Sequence, residues 1–433
     1  MKVKSIKNTE AKTKIIFVIL VCAYRIMMDF IYRVEISPAY EYANMVFDPT
    51  ITGGIVSWLL LALCTFLVLP CVTRKDVLIP NFVIILFFMR FVPITVMLSS
   101  MQLPSLYYAA QSVFWLLLFA LLRAEKGINI GTIERSNVFV YILTAIMIFT
   151  VIFVSGRYTG FRLDLNFLRF DFTDVYDLRD DARGFSMPTI ISYLWGATTN
   201  ILPVLLVFFL EKKKHIIALL IFFVIILNFS IDGTKSTLFK LFLCIGFYYL
   251  LKGNPVKIVP YLFVVLCGIA IIEYVAFETI ITSSLVIRRV CFVPALLDSF
   301  YFDFIYNHSP LYFQHTYQGT DLPFVIGANY YDMPDMRCNN GTFSDAYMNL
   351  GFVGCLIYPL LYTIILRLCT TAFKGLDISV VFYVSFLFVW NLMSSELTIA
   401  LLTHGLFLLS FTLFIIPRKN TFNQLGNLQN NNL

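Results

Sequence analysis

Twelve stretches of this chain are apolar enough and long enough to cross a lipid bilayer, and no other feature narrows its fold so far. A spanning helix needs about 20 apolar residues, because each residue advances it only about 1.5 Å through a hydrocarbon core roughly 30 Å thick. The stretches fall at roughly 15–34, 51–71, 78–98, 105–122, 137–155, 188–210, 215–231, 236–251, 257–275, 350–369, 378–394 and 397–416. In lipid every backbone polar group must bond within its own segment. The expected fold is therefore all-α: one polytopic membrane domain of about 12 transmembrane helices over residues 1–433. Composition supports this, with 59% apolar and only 13% charged residues and a mean hydropathy of +0.81. Soluble domains carry about a quarter charged residues. A cytoplasmic enzyme, a nucleic-acid binder and a secreted disulfide scaffold are excluded. The nine cysteines lie mostly inside apolar runs, where they act as small apolar residues.

Lys and Arg gather on the cytoplasmic side of membrane proteins. With the amino terminus inside, the inner tails and turns collect 19 of the 32 basic residues but only six of the 26 acids. The alternation holds along the chain, so both termini are expected in the cytoplasm. The first span, lysine-rich at its start and without a small-residue cleavage site, reads as an uncleaved anchor. Asp232-Gly233-Thr234-Lys235 leaves room only for a tight helical hairpin. The polar mass then falls outside, in loop A (about 156–186) and loop B (about 276–349). Loops of more than about 15 residues are usually functional or disordered. These are rich in Tyr, Phe and Asp, which favours folded lids on the membrane. Cys291 and Cys338, the two external cysteines, are the one pair this topology would allow to form a disulfide.

Loop A contains GRYTGFRLDLNFLRFDFTDVYDLRDDARG, with Arg157, Arg162, Arg169, Arg179 and Arg183 among six aspartates. Asp171, Asp174, Asp177 and Asp180 recur every third residue. Three readings stand side by side: a solvated helix face with local ion pairs, a divalent-cation site, and arginines gripping an anionic substrate through the guanidinium fork. Loop B reads LVIRRVCFVPALLDSFYFDFIYNHSP over Leu285–Pro310. The adjacent Arg288 and Arg289 point about 100° apart on a helix. Flanked by apolar residues, they suggest an amphipathic segment with cationic heads at phosphate depth, either snorkelling to lipid or clamping a diphosphate. Loop B ends in NNGTFSDAYMNLGFVG, where Asp345 stands one turn before the tenth span and Gly351 and Gly354 read as packing devices. Inside the membrane, Arg25, Asp29 and Arg33 share one helix face and predict an ion pair. Arg90 needs a partner the sequence does not name. No zinc-ligand spacing, Gly-rich phosphate loop or Ser-centred elbow occurs.

Taken together, the arginine pair, VPALLDSFYFDF, NNGTFSDAYMNLGFVG, the last-span LTIALLTHGLFLL, DLRDDARG and the Asp232–Thr237 hairpin resemble the Wzy-type oligosaccharide repeat-unit polymerases of bacteria. The resemblance covers roughly residues 155–415. It implies an inner-membrane glycosyltransferase that joins undecaprenyl-diphosphate-linked oligosaccharides into O-antigen or a similar surface polysaccharide at the outer face of the cytoplasmic membrane. It further implies no required metal or cofactor, a chain-length regulator as protein partner, and no dealings with nucleic acid. On this view Arg288 and Arg289 stabilise the departing diphosphate. Asp345 is the first choice of general base, with Glu273 or His308 behind it. Arg157, Arg162, Arg179, Arg183, Lys235, Tyr301, His308 and Arg337 would bind substrate. An O-antigen ligase, or another lipid-linked-sugar glycosyltransferase, shares the donor chemistry and differs in acceptor. A flippase would want mid-membrane polar residues and short external loops, the reverse of what this chain carries.

Overall fold

A computed structural model describes residues 2–74, 78–124, 136–164, 175–250, 255–376 and 378–416. Helix dominates, as the apolar runs dictate. The only strands among these residues are the antiparallel pair Thr316–Tyr317 and Thr320–Asp321. Ten of the described helices, from Thr9–Ala43 to Leu397–Ile415, are long and apolar enough to cross a membrane. The remaining two of the twelve stretches are also helical but shorter: Lys235–Leu250 has 16 residues and Ile378–Ser394 has 17. The chain is an all-α polytopic membrane protein. Arg169, Asp171 and Asp174 of loop A lie outside the described residues, as do Lys75, Arg135, Lys252, Arg418 and Lys419 of the charge argument.

The chain divides into two compact units, residues 1–127, 254–368 and 389–397, and residues 128–253, 369–388 and 398–433. In the first unit, three helices widen into π turns at Tyr32–Ile36, Phe87–Phe91 and Ser283–Phe292. A π turn takes in an extra residue and rotates the succeeding turns of helix around the axis. The first and second π segments each pack on the third, and the three carry Glu35, Arg90 and the Arg288–Arg289 pair. The first also explains where the ion-pair expectation stops. Arg25 binds both Asp29 oxygens through Nε at 3.0 Å and Ser99 through Nη2 at 2.6 Å. Arg33 enters the π turn, leaves that face, and lies exposed over the Phe47 ring at 5.4 Å.

Loop B is folded almost throughout, as Ser283–Phe292, Val293–Asn307 and Leu322–Tyr331. Only its entry keeps the expected amphipathic surface, with Leu285 and Val286 exposed; Ala295–Phe302 is buried without a break. Gly351 is a helix break rather than a packing device. Its φ of 58° and ψ of −139° divide Phe343–Phe373 in two, a left-handed backbone that glycine alone adopts freely. The carbonyls of Met348 and Asn349 there accept from the N–H groups of Leu311 (2.8 Å) and Tyr312 (3.1 Å). Gly354 does serve close packing, since a Cβ there would strike the Ala346 carbonyl. The Cys291–Cys338 disulfide that the topology would allow is not formed. Both are buried thiols, Cys291 against the Tyr24 hydroxyl at 3.9 Å.

In the second unit the described parts of loop A are held by contacts within the loop and with helix His215–Asp232. Tyr158 stacks on Phe185 at 5.0 Å and donates to the Ser186 carbonyl at 2.9 Å, and the Asp164 N–H donates to Ser230 Oγ at 2.9 Å. The hairpin between His215–Asp232 and Lys235–Leu250 turns at Gly233, φ 61°. There Thr234 donates to the two Asp232 oxygens through its N–H (2.9 Å) and its hydroxyl (2.6 Å).

Candidate active site on loop B

The two loop-B motifs first build two buried polar networks. Asp298, from VPALLDSFYFDF, accepts on Oδ1 from Arg90 Nη2 at 2.7 Å, from Ser344 Oγ at 2.7 Å and from Asn340 Nδ2 at 3.0 Å. Arg90 also reaches Asn340 Oδ1 at 3.1 Å. The intramembrane arginine thus has its partner 208 residues away, and both side chains are wholly buried. Gly341, next in NNGTFSDAY, donates its N–H to the Met393 carbonyl at 2.9 Å; a Cβ there would strike the carbonyls of Leu392 and Ser395.

Asp345 anchors the second network and is not an accessible base. It is 1% exposed. Its Oδ2 accepts from the Leu397 N–H at 2.7 Å, and its Oδ1 from Asn349 Nδ2 at 2.8 Å and the Tyr358 hydroxyl at 3.1 Å. A carboxylate at the first N–H of a helix satisfies a donor the helix leaves unpaired. The motif residue holds the start of Leu397–Leu401 in place. Tyr301 is likewise structural: it is buried, and its hydroxyl donates to the Cys338 carbonyl at 2.9 Å, so no ring face is left for a sugar. Glu273 caps the start of the arginine-bearing segment, accepting from the N–H groups of Ile281 and Thr282 and from the Thr279 hydroxyl.

The cations are better placed. Arg288 lies half-buried over the Tyr40 ring at 3.9 Å, with a buried Nε that has no hydrogen-bond partner among the described residues. The Tyr40 hydroxyl is in turn held by Ser284, one turn before Arg288. Neither Arg288 nor Arg289 forms an ion pair among the described residues. Arg289 is exposed, so the pair is one seated cation with a solvent-facing neighbour and not a closed clamp.

A second group on loop B was not foreseen. His315 Nδ1 meets Glu396 Oε2 at 2.5 Å, the histidine side chain about half exposed and the glutamate side chain 8% exposed. With Nδ1 committed to the carboxylate, Nε2 is the ring nitrogen left for chemistry. Burial pushes the Glu396 carboxyl above the usual carboxylate range, while His315 and Arg337 oppose that shift. Arg337 is half-exposed, reaches Asp321 at 3.4 Å and lies over the Phe324 ring at 5.6 Å. Cys338 lies beside both Tyr331, which also feels the Arg288 charge, and Tyr301, which feels Glu396 and Arg337. His308 is exposed, its Nδ1 on the Phe304 carbonyl at 2.7 Å and its ring stacked on Phe304 at 4.3 Å.

The loop-A residues belong to the other unit. Arg162 pairs with Asp181 at 3.0 Å and Arg183 with Asp180 at 2.9 Å, all four exposed, which is the local pairing of a solvated face. Arg157 lies over the Tyr158 ring at 5.8 Å. Arg179 acts electrostatically on Asp232, and Lys235 opens its helix half-buried. Comparison with family models, curated proteins and solved structures gives no match to this chain. The residues that sequence reasoning missed are Asp298 as the partner of Arg90 and the His315–Glu396 pair. The available signal was Glu396 itself, a carboxylate in the short polar break between two apolar runs, where charge is costly unless used.

Proposed function

We propose that this protein is a glycosyltransferase that polymerises undecaprenyl-diphosphate-linked oligosaccharide units into O-antigen or a related polysaccharide at the outer face of a bacterial cytoplasmic membrane. The observation that carries the reading is Arg288, a half-buried guanidinium seated on Tyr40 with no anionic partner among the described residues. A cation held out of water and left uncompensated is costly unless an anion comes to it. In the reaction a sugar hydroxyl attacks the anomeric carbon of the donor. The bond from that carbon to the diphosphate oxygen breaks, and its electron pair leaves on the diphosphate. Fixed cations where that charge develops lower the barrier; Arg288 supplies one and Arg289 a second, solvent-facing one.

The attacking hydroxyl must lose a proton. His315, oriented through Nδ1 by Glu396, takes it on Nε2, in the role the sequence had suggested for Asp345. Arg337, whose charge bears on Glu396, and the exposed His308, which meets the half-buried Tyr317 ring at 5.2 Å, suit a saccharide. Asp345 becomes a positioning residue, capping the helix that begins one residue after Glu396.

The test is a gene deletion complemented with variants, read as surface-polysaccharide ladders. Loss of a polymerase leaves a single repeat on the lipid core, loss of a ligase leaves the core bare, and loss of a flippase strands units inside. Arg288→Ala and His315→Ala should give single repeats at unchanged protein level. Normal long chains from Arg288→Ala would remove the reading.

A further inference from the structure

The first unit also carries an apolar groove with one charged end, lined by no residue of loop B. Helices Lys2–Ile31 and Ile51–Val68 both pack against Val92–Ser100. Between them runs a cavity of about 260 Å³, whose walls include Val18, Val21, Cys22, Trp58, Phe66 and Leu69. From Leu69 to Trp58 the groove follows eleven residues of helix, roughly 16 Å, or about half the hydrocarbon thickness of a bilayer. That is the reach of one lipid chain within one leaflet.

The two ends differ in charge. At the Trp58 end Arg25 lies over the ring at 5.0 Å, but it is already compensated by Asp29. At the other end Ser105–Arg123 finishes with the Arg123 guanidinium over the Phe66 ring at 5.2 Å. Arg123 is exposed, and its guanidinium has no hydrogen bond or ion pair among the described residues. Arg74 fixes this end of the helix by donating to the carbonyls of Leu122 (3.1 Å) and Arg123 (3.4 Å), which brings a second guanidinium beside it.

We infer that the groove is a binding site for an anionic phospholipid, its phosphate on Arg123 and one acyl chain lying over Phe66 toward Trp58. An apolar channel one leaflet long that ends in a guanidinium without an ion pair among the described residues matches both halves of such a lipid, whereas a zwitterionic headgroup brings its own cation to the same place. The site is independent of the reaction proposed above.

Trp58 lines the groove and is 41% exposed, so a brominated acyl chain in the groove quenches its fluorescence. The full-length protein is placed in phosphatidylcholine bilayers containing dibrominated phosphatidylglycerol or dibrominated phosphatidylcholine, and the Trp58 share is obtained by difference from Trp58→Phe. Phosphatidylglycerol should show about five-fold higher apparent affinity, the factor one basic side chain contributes at an anionic surface. Arg123→Gln should bring that ratio close to one while quenching by brominated phosphatidylcholine persists, and Arg123→Lys should restore most of it. Equal quenching by both lipids in the wild type, no quenching of Trp58 by either, or a ratio unmoved by Arg123→Gln overturns the assignment.

Discussion

Replacing Asp298 by alanine tests the account of how the motif segments hold the first unit together. Among the described residues, the change removes the only carboxylate on Arg90 and leaves a fully buried guanidinium with Asn340 as its one remaining hydrogen-bond partner. Ser344 loses its acceptor as well. Breaking a buried ion pair by deleting one partner costs about 3–5 kcal/mol, most of it the charge left behind. Each kcal/mol lowers the melting temperature of a domain of 150–250 residues by about 2–4 °C, so a fall on the order of 10 °C is expected. The molecule supplies its own reporter, because eight of its nine cysteines are buried thiols and react with a fluorogenic maleimide only as the fold opens. Melting is compared at one heating rate, since such unfolding is commonly irreversible. The double variant Arg90→Met/Asp298→Leu should recover most of the loss, because charge and counter-charge leave together. A melting point for Asp298→Ala within about 2 °C of wild type would refute the reasoning, and so would a double variant as damaged as the two single changes summed.

Asp345→Asn should keep long polysaccharide chains to within a few-fold, since an amide oxygen can still accept from Leu397, whereas a true general base would lose on the order of a hundred-fold or more; ladders from the complemented deletion decide. Gly341→Ala should lower the melting point clearly, by about 1–3 kcal/mol of overpacking against two backbone carbonyls that cannot swing aside. Arg183→Gln should move it by no more than a degree or two, because an exposed ion pair contributes at most about 1 kcal/mol. Glu396 gives a pH signature. Its carboxyl titrates higher in the fold than in the unfolded chain, chiefly through burial, with Asp321 adding to the rise and His315 and Arg337 opposing it. Its protonated form therefore contributes stability that is present below the ordinary glutamate value near 4.3 and lost as pH rises through the folded-state value. The melting-point difference between wild type and Glu396→Gln should accordingly shift against the wild type on going from pH 4 upward, and a difference that stays flat with pH speaks against the buried carboxyl.

The apolar runs alone determined the helices, since a largely apolar stretch of some 20 residues has one stable form in lipid, and each of the twelve stretches is helical over most of its length, the last with a break ending at Gly405. The Arg25–Asp29 pair and the hairpin at Gly233 were legible for the same reason: both depend on neighbours within a few positions. The roles of Asp345, Tyr301 and Arg289 were not, because burial and partner cannot be read from a residue and its flanks. Asp345 looks like a reactive carboxylate until Leu397, 52 positions on, is seen to occupy it. The π turns left no trace in the apolar pattern, yet they rotate the cations of three segments. Only the tertiary structure decided which charges are spent and which are free. Asp298 finds Arg90 across 208 positions, His315 finds Glu396 across 81, and Arg288 finds an aromatic ring and, among the described residues, no ion pair. Local sequence fixes backbone hydrogen bonding in a low-dielectric medium, but the pairing of charges depends on distances that exist only after the helices have packed.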